Sequence, residues 1–171
     1  MKSIAIIPAR GGSKRIPKKN IKDFLGVPII SRTIKKLHAT KIFSEIIVST
    51  DDDEIKKISE LAGAKVPFKR DVNLSDDQTP TVPVIKDALQ RLENEGKYFE
   101  VCCCVYPCNP FILKKDLLGC LKQLLTKKKS FCYPVTEYRH PTQRRLRRDK
   151  SGKMHFLEPH NELTRTQDLE V

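Results

Sequence analysis

Short apolar runs alternate with stretches of helical period along most of this chain. Ser3 to Pro8 is a continuous apolar run, which predicts a buried strand. Ile30, Ile34 and Leu37 recur at helical spacing and predict a helix over Ile30 to Thr40. Glu45 to Ser49 reads as a second strand. Ile55, Ile58, Leu61 and Ala62 share one face of a helix over Asp52 to Ala62. That helix opens on Thr50 and three aspartates, which suit an N-cap and the helix dipole, and Gly63 is placed to end it. Ala64 to Lys69 reads as a short strand. Val84, Ile85, Ala88, Leu89 and Leu92 predict a helix over Thr81 to Asn94. Val101 to Tyr106 predicts a strand, Leu113 to Thr126 a helix, and Phe131 to Thr136 a last strand. The polar, basic remainder suits a hairpin around Ser151-Gly152.

Strands separated by helices imply βαβ units. The predicted fold is α/β, a Rossmann-like three-layer sandwich with a mainly parallel sheet. Residues 1–136 would form this α/β domain, and residues 137–171 a basic arm. Ligands of such sheets bind at the carboxyl ends of the strands. The loops at 8–20, 50–53, 70–81 and 107–111 all follow predicted strand ends, so they can share one site.

With 171 residues and 39% hydrophobic content, the chain is long enough for one domain with a real core. No apolar run approaches the roughly 20 residues that span a bilayer, and the short N-terminal run lacks the form of a signal peptide. The expectation is a cytoplasmic protein with no membrane partner. The net charge of +12 lies mainly in two blocks. Lys2 to Lys19 holds six cations and no acid; Arg139 to Lys153 holds seven cations and one acid, Asp149. Such blocks suit a small polyanion or nucleic acid. An aromatic content of 6% and no Trp argue against nucleic acid. The six cysteines do not form a disulfide or zinc pattern. Cys102, Cys103 and Cys104 are consecutive on a predicted strand, so they read as small buried hydrophobes in a reducing compartment.

The first loop carries the clearest chemistry. Ala9-Arg10-Gly11-Gly12-Ser13-Lys14-Arg15-Ile16-Pro17-Lys18-Lys19-Asn20 follows directly on the first strand. It has neither the P-loop nor the dinucleotide glycine pattern. Gly11 and Gly12 let the backbone approach an anion closely, and Arg10, Lys14 and Lys19 can neutralise a triphosphate and a departing pyrophosphate. A solvated basic turn is the plainer alternative.

That loop resembles the signature of the acylneuraminate cytidylyltransferases, which make CMP-activated nine-carbon acidic sugars. Phe24 to Ile30, Val48-Ser49-Thr50-Asp51-Asp52, Phe68-Lys69-Arg70, Leu74-Ser75-Asp76-Asp77 and Tyr106-Pro107-Cys108-Asn109-Pro110-Phe111 follow the same family in order. Tyr106-Pro107 with Pro110-Phe111, Pro134 to Glu137 and Gln167 to Glu170 resemble the pseudaminic acid branch. The resemblance implies a nucleotide-diphospho-sugar transferase fold. It also implies attack of a sugar hydroxyl on the α-phosphate of CTP with loss of pyrophosphate, and CTP and an acidic nine-carbon sugar as ligands. Arg10 and Lys14 would contact the phosphates, with Lys19 a further candidate. Ala9, Gly11, Gly12 and Ser13 would hold the triphosphate. Asn20 and Arg70 would hold the nucleoside, Asp77 and Thr79 would lie beside the ribose or the incoming sugar, and Tyr106 and Gln143 would face the sugar.

By the same resemblance the basic arm helps to form a homodimer, and Mg²⁺ is the cofactor. Its aspartate ligands would lie past Val171, outside this chain, so its ligands here are unknown. Asp51, Asp52 and Asp53 could pass for a metal cluster, but a helix start is the better reading. The four histidines have no catalytic spacing, although His140 beside Pro141 could line a sugar pocket. Because the chain stops short of the family pattern, two readings stay open: a truncated cytidylyltransferase, or a fragment completed by another chain. Related enzymes that make CMP-N-acetylneuraminate or the CMP-activated eight-carbon acid (KDO) share the loop type. A nucleotide-binding fragment without catalysis and a basic binding protein remain as readings of another class.

Overall fold

The computed structural model describes residues 1–138 and 141–169. The chain forms two compact units, Met1–Lys122 and Gln123–Val171. In the first unit the elements are β1 (Ser3–Pro8), α1 (Ile29–Thr40), β2 (Glu45–Ser49), α2 (Asp53–Leu61), α3 (Thr81–Asn94) and β3 (Val101–Cys104). The helix α4 (Lys114–Thr126) follows, and the second unit adds the short strands β4 (Leu146–Arg148) and β5 (Met154–Phe156).

The first three strands make a parallel sheet in the order β2-β1-β3. Ile6 of β1 pairs with Ile47 on one side and Cys104 on the other. A strand bonded on both sides and covered on both faces must be apolar throughout, as Ile4 to Ile7 are. Alternation assigns its side chains to two cores. Ala5, Ile7 and Ala9 pack with Ile30, Ile34 and Leu37 of α1 and Ile55 of α2. Ile4 and Ile6 pack with Ala88 and Leu92 of α3. Helices therefore cover both faces of the sheet, which is the expected three-layer α/β arrangement.

The helix ends follow their sequence signals. Asp52 caps α2 by accepting the Ile55 N–H at 2.8 Å, and Asp53 and Glu54 sit in its first turn. Gly63 follows at φ 100°, a backbone conformation that a side chain would strain. The hairpin around Ser151-Gly152 is present as β4 and β5. Asp149 organises its turn by accepting from the Ser151 and Lys153 N–H groups and from Ser151 Oγ. Those bonds, with the contact to His155, hold the Asp149 carboxyl down at about 2.

Several expectations need correction. Residues 64–69 do not form a strand; they make isolated bridges, Lys65 to Ile47 of β2 and Lys69 to Thr50 just past its end. Pro67 lies between them and has no N–H to donate to a ladder. Residues 131–136 form no strand among the described residues. Phe131, Tyr133 and Val135 stand exposed, and Pro134 again lacks a donor. The helix α4 has no buried residue, although Leu117 packs partly against the first core. The cysteines are free and only half-buried, and Cys104 is exposed. The reason is topological: β3 has β1 on one side and no partner on its other edge among the described residues. Burial still pushes the Cys102 thiol up to about 12 and Cys103 up to about 11. No helix among the described residues is long and apolar enough to cross a membrane.

The two cores set a stability contrast. Ile34 is fully buried, so Ile34→Ala should lower unfolding free energy by about 2–5 kcal/mol in urea titrations. Leu61, on α2 but 79% exposed, should lose under about 0.5 kcal/mol as Leu61→Ala.

Candidate active site

The parallel strands point the same way, so their carboxyl ends place several loops together. A cleft of about 300 Å³ opens there. Arg10, Lys19 and Asn20 line it from the loop after β1, and Arg70, Asp77 and Thr79 from the segment before α3. Thr81 at the start of α3, and Tyr106 and Cys108 after β3, complete the wall.

The first loop is tied down at several points. The Ala9 N–H donates to the Ser49 carbonyl at 2.9 Å. The Gly11 N–H donates to Asp51 Oδ1 at 3.0 Å. A Cβ on Gly11 would lie 2.7 Å from Asp52 Oδ2 and 2.9 Å from Asp52 Cβ, so the glycine is needed for this approach to α2. Gly12, by contrast, faces open space. Ser13 N–H closes a tight turn on the Gly11 carbonyl at 2.8 Å. Asn20 is buried, and its Nδ2 donates to the Arg10 carbonyl at 2.9 Å. The Cys108 thiol donates weakly to Asn20 Oδ1 at 3.6 Å and to the Lys19 carbonyl at 3.7 Å. Asn20 therefore shapes the loop as well as lining the cleft.

Arg70 is a buried cation, 5% exposed, at the floor of the site. Its Nε donates to Ser49 Oγ at 3.0 Å, and its Nη2 donates to the Ser49 carbonyl. Burial pulls its pKa below the ordinary arginine value; Asp51 opposes that and Arg10 adds to it. Arg10 donates from Nη1 to the Asp76 carbonyl at 2.6 Å and pairs through Nη2 with Asp77 Oδ1 at 2.6 Å. Lys14 pairs with Asp77 Oδ2. Hydrogen bonds from Lys14 and then Arg10 hold the Asp77 carboxyl below the usual carboxylate range. Asp76 Oδ1 accepts from the Gln78 N–H at 2.9 Å and the Thr79 N–H at 2.6 Å, which bends the segment that presents Asp77.

On the opposite wall the Tyr106 and Thr81 hydroxyls lie 3.0 Å apart. Thr33, fully buried on α1, donates to the Pro107 carbonyl at 2.8 Å and holds the loop that carries Tyr106.

Arg10, Lys19, Asn20, Arg70, Asp77, Thr79 and Tyr106, all expected from the sequence, thus share one cleft. Ala9, Gly11, Gly12, Ser13 and Lys14 lie on the loop beside it. Gln143 belongs to the second unit, in the turn Thr142–Arg144. Sequence reasoning missed the anchoring roles of Ser49, Thr33 and Asp76. Ser49 sits at a strand end inside the run Val48-Ser49-Thr50-Asp51-Asp52, which was the available signal; Thr33, one polar residue on an apolar helix face, gave little.

The Asp51 to Asp53 run does not act as one group. Asp51 holds Gly11, Asp52 caps α2, and Asp53 pairs with Lys69 at 3.2 Å. Among the described residues no group of three or more His, Cys, Asp or Glu could hold a metal ion. His38 Nε2 contacts the Gly63 carbonyl at 3.0 Å, and His155 pairs with Asp149 at 2.7 Å. His160 lies in the turn Pro159–Asn161. Arg139 and His140, the latter a candidate for the sugar pocket, lie outside the described residues, as does Glu170.

The chain is similar to known proteins along nearly all of its length. The family model described as Cytidylyltransferase matches residues 4–166. A pseudaminic acid cytidylyltransferase of Campylobacter jejuni is 38% identical over 169 residues, covering 99% of this chain and 73% of that protein. A CMP-N,N'-diacetyllegionaminic acid synthase of the same species is 39% identical over 99 residues, 58% of this chain and 41% of the relative. A solved CMP:2-keto-3-deoxy-manno-octonic acid synthetase complexed with CTP has the same fold. Its TM-score is 0.63 at 21% identity, over 75% of this chain and 49% of that one. With a match that runs from β1 through the second unit, and with the cationic loop and Arg70 converging at the strand ends, this chain belongs to the cytidylyltransferase family.

Proposed function

We propose that this protein transfers CMP from CTP to pseudaminic acid and releases pyrophosphate. The observation that carries the reaction class is the convergence of Arg10 and Lys19 from the first loop with buried Arg70 at one cleft, with Lys14 beside it on the same loop and paired to the cleft residue Asp77. The sugar rests on the match to pseudaminic acid cytidylyltransferases along nearly the whole chain.

In this reaction the hydroxyl oxygen of the sugar forms a bond to the α-phosphorus. The bond from that phosphorus to the oxygen bridging it to the β-phosphate breaks, and the electrons leave with pyrophosphate. The hydroxyl proton passes to the surrounding water. Little covalent work falls to the protein, so positioning and charge neutralisation dominate. Arg10 and Lys14 hold the β- and γ-phosphates and stabilise the departing pyrophosphate, with Lys19 beside them. Arg70, fixed by Ser49, meets the nucleoside end. Asn20 keeps the loop in register, while Tyr106 and Thr81 offer hydroxyls to the sugar. Magnesium, which the family resemblance implies, meets no three-ligand cluster among the described residues, and none of these steps is routed through it. A homodimer and a cytoplasmic location, where six free thiols stay reduced, belong to the same reading.

The direct test is pyrophosphate release from CTP with magnesium present, run with pseudaminic acid, with N-acetylneuraminic acid, with the eight-carbon acid and with no sugar. Release with pseudaminic acid alone is the expected outcome; release with another acid alone overturns the sugar assignment. No release with any acid overturns catalysis by this chain. Arg10→Ala should lower kcat/KM by about 10²–10³-fold while the melting temperature stays near that of the parent. A loss under threefold would remove Arg10 from the phosphate site.

A further inference from the structure

The cations assigned to the phosphates already hold an anion that belongs to the protein. Asp77 Oδ1 lies 2.6 Å from Arg10 Nη2, and its Oδ2 pairs with Lys14 Nζ. One carboxylate thus bridges two side chains from another loop, much as two oxygens of a phosphate group would. The neighbouring Asp76 carbonyl takes the remaining arm of the Arg10 fork at 2.6 Å. Asp76 itself is turned inward to the Gln78 and Thr79 amides, so it shapes the segment and leaves Asp77 to face the cations.

We propose that Asp77 is the resident counter-ion of the phosphate-binding cations, displaced by the triphosphate of CTP and returning as pyrophosphate leaves. This rests on the reading of Arg10 and Lys14 as the residues that hold the phosphates. Three physical consequences follow. First, without nucleotide the two cations repel each other less and stay close to the geometry that an anion needs. Second, the triphosphate brings more charge than one carboxylate and wins the exchange. Third, the exchange weakens binding of every phosphate ligand that uses these cations, pyrophosphate included. Asp77 therefore lowers affinity while favouring product release. Both of its pairs are solvent-exposed at the carboxylate, so the penalty is modest. Two such pairs correspond to a factor of roughly 2–30 in an equilibrium constant.

The protein and its Asp77→Asn variant test this by calorimetric titration with inorganic pyrophosphate. Glu100→Gln serves as the charge control. It removes one negative charge beside the amino end of β3, at the opposite end of the strands from the cleft. The expected result is a pyrophosphate Kd tightened by roughly 2–30-fold in Asp77→Asn and no change in Glu100→Gln. Structural damage would weaken binding, so a gain of affinity separates the counter-ion role from a supporting one. Unchanged or weaker pyrophosphate binding by Asp77→Asn, with binding by the parent intact, overturns the counter-ion role alone. Absence of pyrophosphate binding by both proteins overturns the phosphate assignment of Arg10 and Lys14, and the counter-ion role with it.

Should Asp77→Asn fail to fold, the parent protein still decides the matter through carboxyl-carbon NMR titration of Asp77. Its carboxyl titrates below the usual range when free, under the influence of Lys14 and Arg10 with Asp76 as the nearby acid. With pyrophosphate bound it should move up to or above the ordinary value. A carboxyl that stays low with pyrophosphate bound would sink the proposal.

Discussion

The carbonyl of Ser49 is the joint on which the site depends. At the end of β2 it accepts the Ala9 N–H, where the first loop leaves β1, and the Arg70 guanidinium, while Ser49 Oγ accepts from Arg70 Nε. Two segments far apart in sequence are thereby fixed to one peptide unit. A carbonyl oxygen has two lone pairs, and at this buried residue both accept a hydrogen bond. The same two bonds satisfy the backbone and hold a buried cation in place. The sheet supplies the remainder: three parallel strands end at one edge, so loops that follow them must meet.

Crowding cations into one cleft is unfavourable before any ligand arrives. The structure offsets that repulsion with carboxylates from neighbouring elements, not from the loop itself, which has none. Asp77 takes Arg10 and Lys14, Glu54 takes Lys18, and Asp51 supports Arg70. The acids next to Thr50 are divided in the same way. Each has a separate task in bonding a glycine, capping a helix or pairing a lysine, so a run that looks like a metal cluster in sequence becomes three unrelated contacts.

Much of the fold was legible in the sequence. β1, β2 and α3 fall on their expected bounds, because a fully buried parallel strand reads as an apolar run and a helix with one covered face reads as a 3.6-residue period. The cleft residues Arg10, Lys19, Asn20, Arg70, Asp77, Thr79 and Tyr106 were also legible, from the rule that parallel strands gather their ligands at the carboxyl end and from the family resemblance. The misses share a cause. Apolar alternation at 64–69 and 131–136 looks like a strand, yet a strand exists only if a neighbour completes its ladder. The prolines Pro67 and Pro134 work against that. The cysteines of β3 looked buried because their run is apolar, but burial depends on which strand stands next to them.

By itself, then, the sequence determined the local periods, the capping residues, the glycines and the stock of cations in the first loop. These are properties of residues near one another along the chain. Tertiary structure alone decided that Asp77 meets Arg10 and Lys14, that Ser49 anchors Arg70, and that Thr33 steadies the loop bearing Tyr106. Those pairs lie 67, 63, 21 and, for Thr33 with Pro107, 74 residues apart. No local pattern encodes them; they form because burying β1 on both faces forces the strand ends, and the loops that leave them, into the same small volume.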